Sequence, residues 1–357
     1  MNRVRITALL SGLALMATPV VMGDDLSDDT AITITRTWNQ QPGGWTYPMA
    51  IHVPDGASPQ GGLPVCILLH GNGGNGPDMI GQYADQLSNH ALVAPSGYQN
   101  SWNICGENSD APDVDMVGDL ITMLQGFDNV NPKAIRILGF SNGASLANRV
   151  LLENANPGLD TVCSVVSQLS DVMARDNRFF RPAGATSQKQ PFCGYQTEIT
   201  PTPGRRYLGI SNENDGIIPY AGGWSPVGIV FLDSRNAAYE IARSTGYTGK
   251  PILGNGERIG NTNVFKYAYP NDHVVHLRGF ANHGMNPTQR EFIVDYLSNW
   301  PVEKEVDSDL NDDGQVNGGD LGLLIAAWGQ LEPDLDGSGL VGGGDLGLLL
   351  ADWGSKP

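Results

Sequence analysis

An apolar segment and an Ala/Leu-rich segment are joined by Gly139-Phe140-Ser141-Asn142-Gly143. A strand that turns into a helix within so few residues has room only for small neighbours at the turn. It also pushes the central serine out with its hydroxyl exposed. The pattern alone says little, because 46 glycines among 357 residues make a chance Gly-x-Ser-x-Gly match an ordinary event. Its setting constrains more. Ala134–Gly139 reads as a short buried strand and Ala144–Glu153 as a helix, as the turn requires.

The same alternation extends to about residue 300. Leu63–Leu69 is a continuous apolar run, the mark of a strand covered on both faces. Further strands are expected at Ala31–Trp38, Tyr47–Val53, Ala91–Pro95, Val162–Leu169, Arg206–Ile210 and Val264–Tyr269. Helices are expected at Pro77–Leu87, Val114–Leu124, Ser234–Thr245 and Pro287–Trp300. Alternating strands and helices argue for an α/β class, a mostly parallel sheet with helices on both faces. With 40% hydrophobic and 17% charged residues, the chain can bury a sizeable core.

A serine hydroxyl needs a base, and the base needs an orienting carboxylate. In a sheet of this kind the order is Ser, then Asp or Glu, then His. His273, His276 and His283 follow Ser141. The first two flank a strand-like segment, whereas His283 lies in a loop just before a helix and is preferred. Asp215, in the loop after Arg206–Ile210, is the preferred acid, with Glu213 and Asp233 as alternatives. Backbone N–H groups of Asn142 and of Asn72, in His70-Gly71-Asn72-Gly73-Gly74-Asn75, are placed to stabilise an oxyanion. Trp102 and Tyr220 are expected either to line the pocket or to pack in the core.

Taken together, His70–Asn75, the Ser141 turn, Asp215 with Ile217-Ile218-Pro219, and His283 resemble the polyhydroxybutyrate-depolymerase and feruloyl-esterase branch of secreted α/β-hydrolases. The resemblance spans about Thr35 to Trp300. It implies an α/β-hydrolase fold and an ester substrate of polymeric or plant-derived origin, with no cofactor for catalysis. Relatives often carry His-Gly before the acid-bearing loop, where this chain has Ser211-Asn212. A serine peptidase with the same triad, and a non-catalytic binding or adhesion protein on a hydrolase scaffold, are the alternative readings.

The texture changes near Pro301. From Glu303 to Pro357 there are twelve acidic and two basic residues, which supply -10 of the net charge of -17. Gly319–Gly329 and Gly344–Gly354 repeat one another, nine of eleven residues being identical. Before each copy lies an oxygen-rich loop. In the first, Asp309, Asn311, Asp313 and Asp320 stand at positions 1, 3, 5 and 12, and Gln315 offers its carbonyl. In the second, the corresponding residues are Asp334, Asp336, Ser338, Asp345 and Leu340. Oxygen donors at this spacing suit Ca²⁺, one ion per loop. The repeat resembles a dockerin, a small all-α calcium-loop-helix module, which implies a cohesin-like or surface-protein partner. The family's recognition positions are Gly318-Gly319 and Gly343-Gly344 here.

At the other end, Arg3 and Arg5, an apolar stretch from Ile6 to about Met22 and the small Gly23 read as a signal peptide over residues 1–23. The expected organisation is a catalytic domain at 31–301, a linker at 302–306 and the repeat module at 307–354, secreted or at the cell surface, with no membrane span after cleavage. A strong net negative charge disfavours nucleic-acid partners. Cys66 and Cys163 fall in apolar strands. Cys105 and Cys193 lie in polar loops and are the pair expected to form a disulfide.

Overall fold

Every side chain of Leu63–Leu69 is buried, and this strand lies inside a nine-stranded sheet. The computed structural model describes residues 24–56, 58–59, 61–298, 308–311, 313–330, 333, 335 and 341–354. The expected signal peptide and linker lie outside the described residues. The chain divides into two compact units, Met1–Ser298 and Asn299–Pro357. Among the described residues, no helix is long and apolar enough to cross a membrane.

In chain order the strands of the large sheet are β1 (Met49–His52), β2 (Leu63–Leu69), β3 (Ala91–Pro95), β4 (Val130–Phe140), β5 (Leu159–Val165), β6 (Arg206–Asn212), β7 (Glu257–Arg258), β8 (Phe265–Ala268) and β9 (Val274–Gly279). Their order across the sheet is β7-β8-β9-β6-β5-β4-β2-β3-β1. The run from β3 to β9 is parallel, and β1, β8 and β7 extend its edges in antiparallel pairs. This topology, with a serine turn after β4, is the α/β-hydrolase fold.

The helices are α1 (Gly76–Tyr83), α2 (Asp113–Leu124), α3 (Asn142–Glu153), α4 (Ser234–Ser244) and α5 (Pro287–Ser298). Alternation along β2 sorts them. Val65, Ile67 and Leu69 share one core with α2, α3 and α4 through Leu120, Leu146, Val150 and Ile241. Cys66 and Leu68 face the other way, toward α1 and α5, in a second core with Met79, Tyr83, Ile293 and Leu297. Burial of each such side chain contributes about 1.5–3 kcal/mol, so both faces are strongly fixed.

Three expectations need correction. Val264–Tyr269 does not end the strand set. The strand-like segment after it, Val274–Gly279, is the parallel strand beside β6, and His276 lies within it rather than at its flank. Residues Ala31–Ile34 lie outside any strand, the first of which begins at Thr35. The strand expected at Val162–Leu169 stops at Val165, because Val166 has φ +52. A separate three-stranded antiparallel sheet over Ala174–Arg175, Arg178–Pro182 and Tyr195–Ile199 was not legible in the alternation.

Cys105 and Cys193 are joined in a disulfide with Cα atoms 5.3 Å apart, and Cys66 and Cys163 are buried thiols. The bond closes a long loop, spanning 88 positions of sequence. Removing it with Cys105→Ala/Cys193→Ala is expected to lower stability by about 2–5 kcal/mol, read as a lower urea midpoint, with a steeper slope because the freed unfolded chain exposes more surface.

The second unit contains α6 (Gly318–Ala326) and α7 (Gly343–Ala351). They pack around Val316, Leu324, Val341 and Leu349, one apolar pair from each repeat. Two backbone bonds reciprocate across the repeats: Gly329 N donates to Val341 O, and Gly354 N donates to Val316 O, both at 2.9 Å.

Candidate active site

Ser141 occupies the turn between β4 and α3 with φ +53 and ψ -117. A non-glycine residue in this region costs on the order of 1–3 kcal/mol. The two motif glycines show why the turn is closed. A Cβ on Gly139 would lie 2.2 Å from Gly143 O, and one on Gly143 would lie 2.2 Å from Leu69 O and 2.5 Å from His70 O. All of these are backbone atoms, which cannot swing aside. Gly71 sits against the turn on its other side, its Cβ position 3.5 Å from the Ser141 Cβ.

The structure brings Ser141, His283 and Asp215 together from three strand ends. The Ser141 hydroxyl donates to His283 Nε2 at 2.7 Å, and His283 Nδ1–H donates to Asp215 Oδ2 at 2.8 Å. Asp215 Oδ1 accepts the backbone N–H groups of Ile217 and Ile218 at 2.8 and 3.0 Å. Burial pushes the Asp215 carboxyl up, but the His283 bond and those two N–H groups outweigh it and hold the group below the ordinary carboxylate range. The remaining lone pair on Nε2 faces the serine proton. Such an array can activate a hydroxyl for attack on an acyl carbon.

The alternatives have other partners. Glu213 pairs with Arg278 at 3.1 Å. Asp233 caps α4, accepting from Arg235 N and Asn236 N. His276 is buried, tilted against Tyr220 and Tyr267, and burial together with Arg235 pushes it down to about 3. His273 meets Gly204 O at 3.0 Å. Trp102 is fully buried and packs in the core, and Tyr220 is half-buried beside His276.

Asn142 begins α3, where a backbone N–H has no acceptor inside the helix. Its side chain is clamped to the neighbouring loop: Oδ1 accepts Trp102 N at 2.7 Å and Nδ2 donates to Trp102 O at 3.1 Å and to Glu107 Oε1 at 3.2 Å. Asn72 lies exposed in the loop after β2. That loop is braced by His70, whose Nδ1 donates to Gly71 O at 2.7 Å while Nε2 accepts Gly97 N–H at 2.9 Å. Burial lowers the His70 pKa, so the ring stays neutral as both bonds require. Sequence reasoning assigned no role to His70, Glu107 or Asn212, because braces of this kind follow no spacing rule.

In the second unit, Asp309 accepts Asp313 N and Gly314 N at 3.0 and 2.6 Å. Asn311 Oδ1 and Asp313 Oδ1 accept Asp313 N and Gln315 N. Asp320 accepts Asn311 N and Asn317 N at 3.2 and 2.8 Å. The first loop thus closes on itself around its oxygen atoms, with Gly314 at φ +84. Among the described residues, no group of three or more His, Cys, Asp or Glu side chains is gathered closely enough to hold a metal ion. In the second loop Asp345 is buried, while Asp334, Asp336, Ser338 and Leu340 lie outside the described residues.

No protein-family model matches the chain. A curated relative from Nocardia uniformis subsp. tsuyamanensis, named "Putative esterase NocK", is 28% identical over 181 residues. The match covers 45% of this chain and 51% of that protein, so the chain spans about half the length of the curated relative it matches. Solved structures to which the chain is similar include an acetyl xylan esterase from Aspergillus awamori, with TM-score 0.47 and 11% identity over 70% of this chain and 94% of that one. The Bacillus cereus carboxylesterase gives a TM-score of 0.44 at 15% identity over 71% and 94%. The poly(3-hydroxybutyrate) depolymerase LpqC from Bordetella parapertussis gives 0.40 at 14% over 58% and 74%.

Two measurements follow from this geometry. Gly143→Ala is expected to cost more than about 2 kcal/mol, because the added carbon meets two carbonyls of the preceding strand end. A thermal melt with the wild-type midpoint would refute that. Because the Asp215 pKa is lower folded than unfolded, its pairing stabilises the fold above about pH 4 and is lost as pH falls through the folded value. The acid-induced fall in Tm should therefore be shallower in Asp215→Asn than in wild type.

Proposed function

We propose that this chain is a serine ester hydrolase working through an acyl-enzyme. The 2.7 Å bond from Ser141 to a His283 already oriented by Asp215 carries the reading. In the first half-reaction Ser141 Oγ attacks the ester carbonyl carbon and its proton passes to His283 Nε2. The alkoxide leaving group then takes that proton, and the acyl group remains on Ser141. Water, deprotonated by the same imidazole, attacks the acyl carbon; the bond from that carbon to Ser141 Oγ breaks, Oγ takes the proton back from His283, and the carboxylic acid leaves. Asp215 stabilises the imidazolium in both halves. The backbone N–H groups of Asn142 and Asn72 receive the oxyanion.

Carboxylic esters are favoured as substrates by the name of the curated relative and by the motif resemblance. Within that class, we read feruloyl or acetyl esters of polysaccharides and polyhydroxyalkanoate-type polyesters as the substrates to test, in an exported protein. Wild type should release p-nitrophenol from p-nitrophenyl acetate, and Ser141→Ala should lower kcat by about 10³-fold or more. Unchanged turnover in that variant would overturn the reading. A panel of methyl ferulate, acetylated xylan and polyhydroxybutyrate separates the substrate classes.

For the second unit, we propose a dockerin-like module that takes two Ca²⁺ ions and docks a cohesin-like or surface partner. The residue types of the first loop support that ion, with oxygen donors alone and a glycine at the sharp turn, although among the described residues the carboxylates are not gathered around one point. Asp309, Asn311, Asp313, Asp320 and the Gln315 carbonyl would hold it, with the second loop's counterparts supplying the other site. When bound, the ion would neutralise the carboxylates of its loop. In the full chain, millimolar Ca²⁺ against EDTA should raise the midpoint of one unfolding transition, and Asp309→Ala should abolish part of the rise. Identical melts in Ca²⁺ and EDTA would exclude the metal.

A further inference from the structure

His283 stands in a loop, yet its imidazole must be held to a fraction of an ångström. What holds it is a side chain from another element. Asn212, the last residue of β6, is fully buried. Its Nδ2 donates to Asn282 O and to Gly284 O, both at 2.9 Å. These are the carbonyls on either side of His283. Its Oδ1 accepts Gln289 Nε2 at 3.0 Å, which fixes the amide the right way round. Gln289 is itself locked to the start of α5 by reciprocal bonds with Asn286, each at 3.0 Å. The Asn212 carbonyl accepts the backbone N–H of Asp215 at 3.2 Å.

One residue therefore bonds to both flanks of the base and to the backbone of the acid, while touching no reacting atom. The two donor bonds are not equivalent to one. A single anchor would let the loop pivot, whereas two on either side of His283 restrict rotation as well as translation. The loop needs this, because Asn282 sits at φ +50 in the left-handed region. A second link exists between Asn214 and Asn282, with two bonds of 3.0 Å, but both residues are solvent-facing, where water competes. The Asn212 amide, by contrast, is itself fully buried, so water cannot take over its donor role in these two bonds.

We infer that Asn212 is the positioning residue for His283, setting the imidazole's approach to Ser141. The inference rests on the acyl-transfer reading above. Displacing a reacting group by about 1 Å can cost about 100-fold in rate. Asn212→Ala should therefore lower kcat on p-nitrophenyl acetate by about 10- to 100-fold and leave KM within about threefold. The decisive readout is a double-mutant cycle. If Asn212 acts through the imidazole, Asn212→Ala should cause no further loss in a His283→Ala background. The same fractional loss in both backgrounds would mean a merely structural role and would overturn the inference, as would wild-type kcat in Asn212→Ala. Should that variant not fold, Gln289→Met, which frees the amide to turn over, should show a smaller loss confined to kcat. No loss there, or a loss confined to KM, overturns it equally. A wild-type protein that hydrolyses no aryl ester and takes no fluorophosphonate on Ser141 would instead sink the acyl-transfer reading, and this inference with it.

Discussion

The approach of two backbones carries the rest of the first unit. Gly143 lies against the carbonyls of Leu69 and His70, and Gly139 against Gly143 itself. This contact seats α3 directly over β2 and β4. It also leaves Ser141 in a conformation that a serine would not choose. The strain, about 1–3 kcal/mol, is small beside what α3 gains by burying Leu146, Val150 and Leu151, each contributing about 1.5–3 kcal/mol. The helix cannot relax the turn without withdrawing those side chains. Apolar packing thus holds the strained serine in place, together with the bond from Ser141 N to Val165 O at 2.9 Å.

Polar contacts do the finer work around it. Glu107 collects the backbone N–H groups of Ile104, Cys105 and Gly106 on one carboxylate oxygen and reaches Asn142 with the other. Trp102 supplies a backbone pair to Asn142 and an indole N–H to His70 O at 2.7 Å. A single loop therefore braces the residue after the nucleophile and the segment facing it, and the disulfide at Cys105 ties that loop to the 183–195 region. His70 takes part only as a neutral ring. Charging it would turn Nε2 into a donor facing the Gly97 N–H.

What could be read in the residues was whatever obeys a period or a fixed order. Leu63–Leu69 announces a buried strand by its continuous apolar run. Ser141, Asp215 and His283 follow from chain order and from loops at strand ends. Val274–Gly279 was legible only as a strand-like segment, because His276 and Arg278 interrupt its apolar residues; His276 is buried against two tyrosines and the half-buried Arg278 lies over the Phe265 ring at 4.2 Å. Trp102 could have faced either a pocket or the core, since an aromatic ring serves both, and tertiary packing decided for the core. Asn212 carried no signal. An amide at the end of a strand is an ordinary turn residue until the loop it reaches, some seventy positions later, is folded against it.

The reciprocal bonds of the second unit bear on how it can be inherited. Gly329 closes onto Val341 of the other repeat and Gly354 onto Val316 of the first, while each repeat contributes half of one small apolar centre. Either copy alone would expose its Leu and Val side chains and leave a helix end unsealed. The two copies form a lock whose halves are also its keys. Shuffling, splicing or trimming between genes that keeps the pair together keeps this lock, whereas a cut between Gly329 and Val341 divides the apolar centre and both closing bonds.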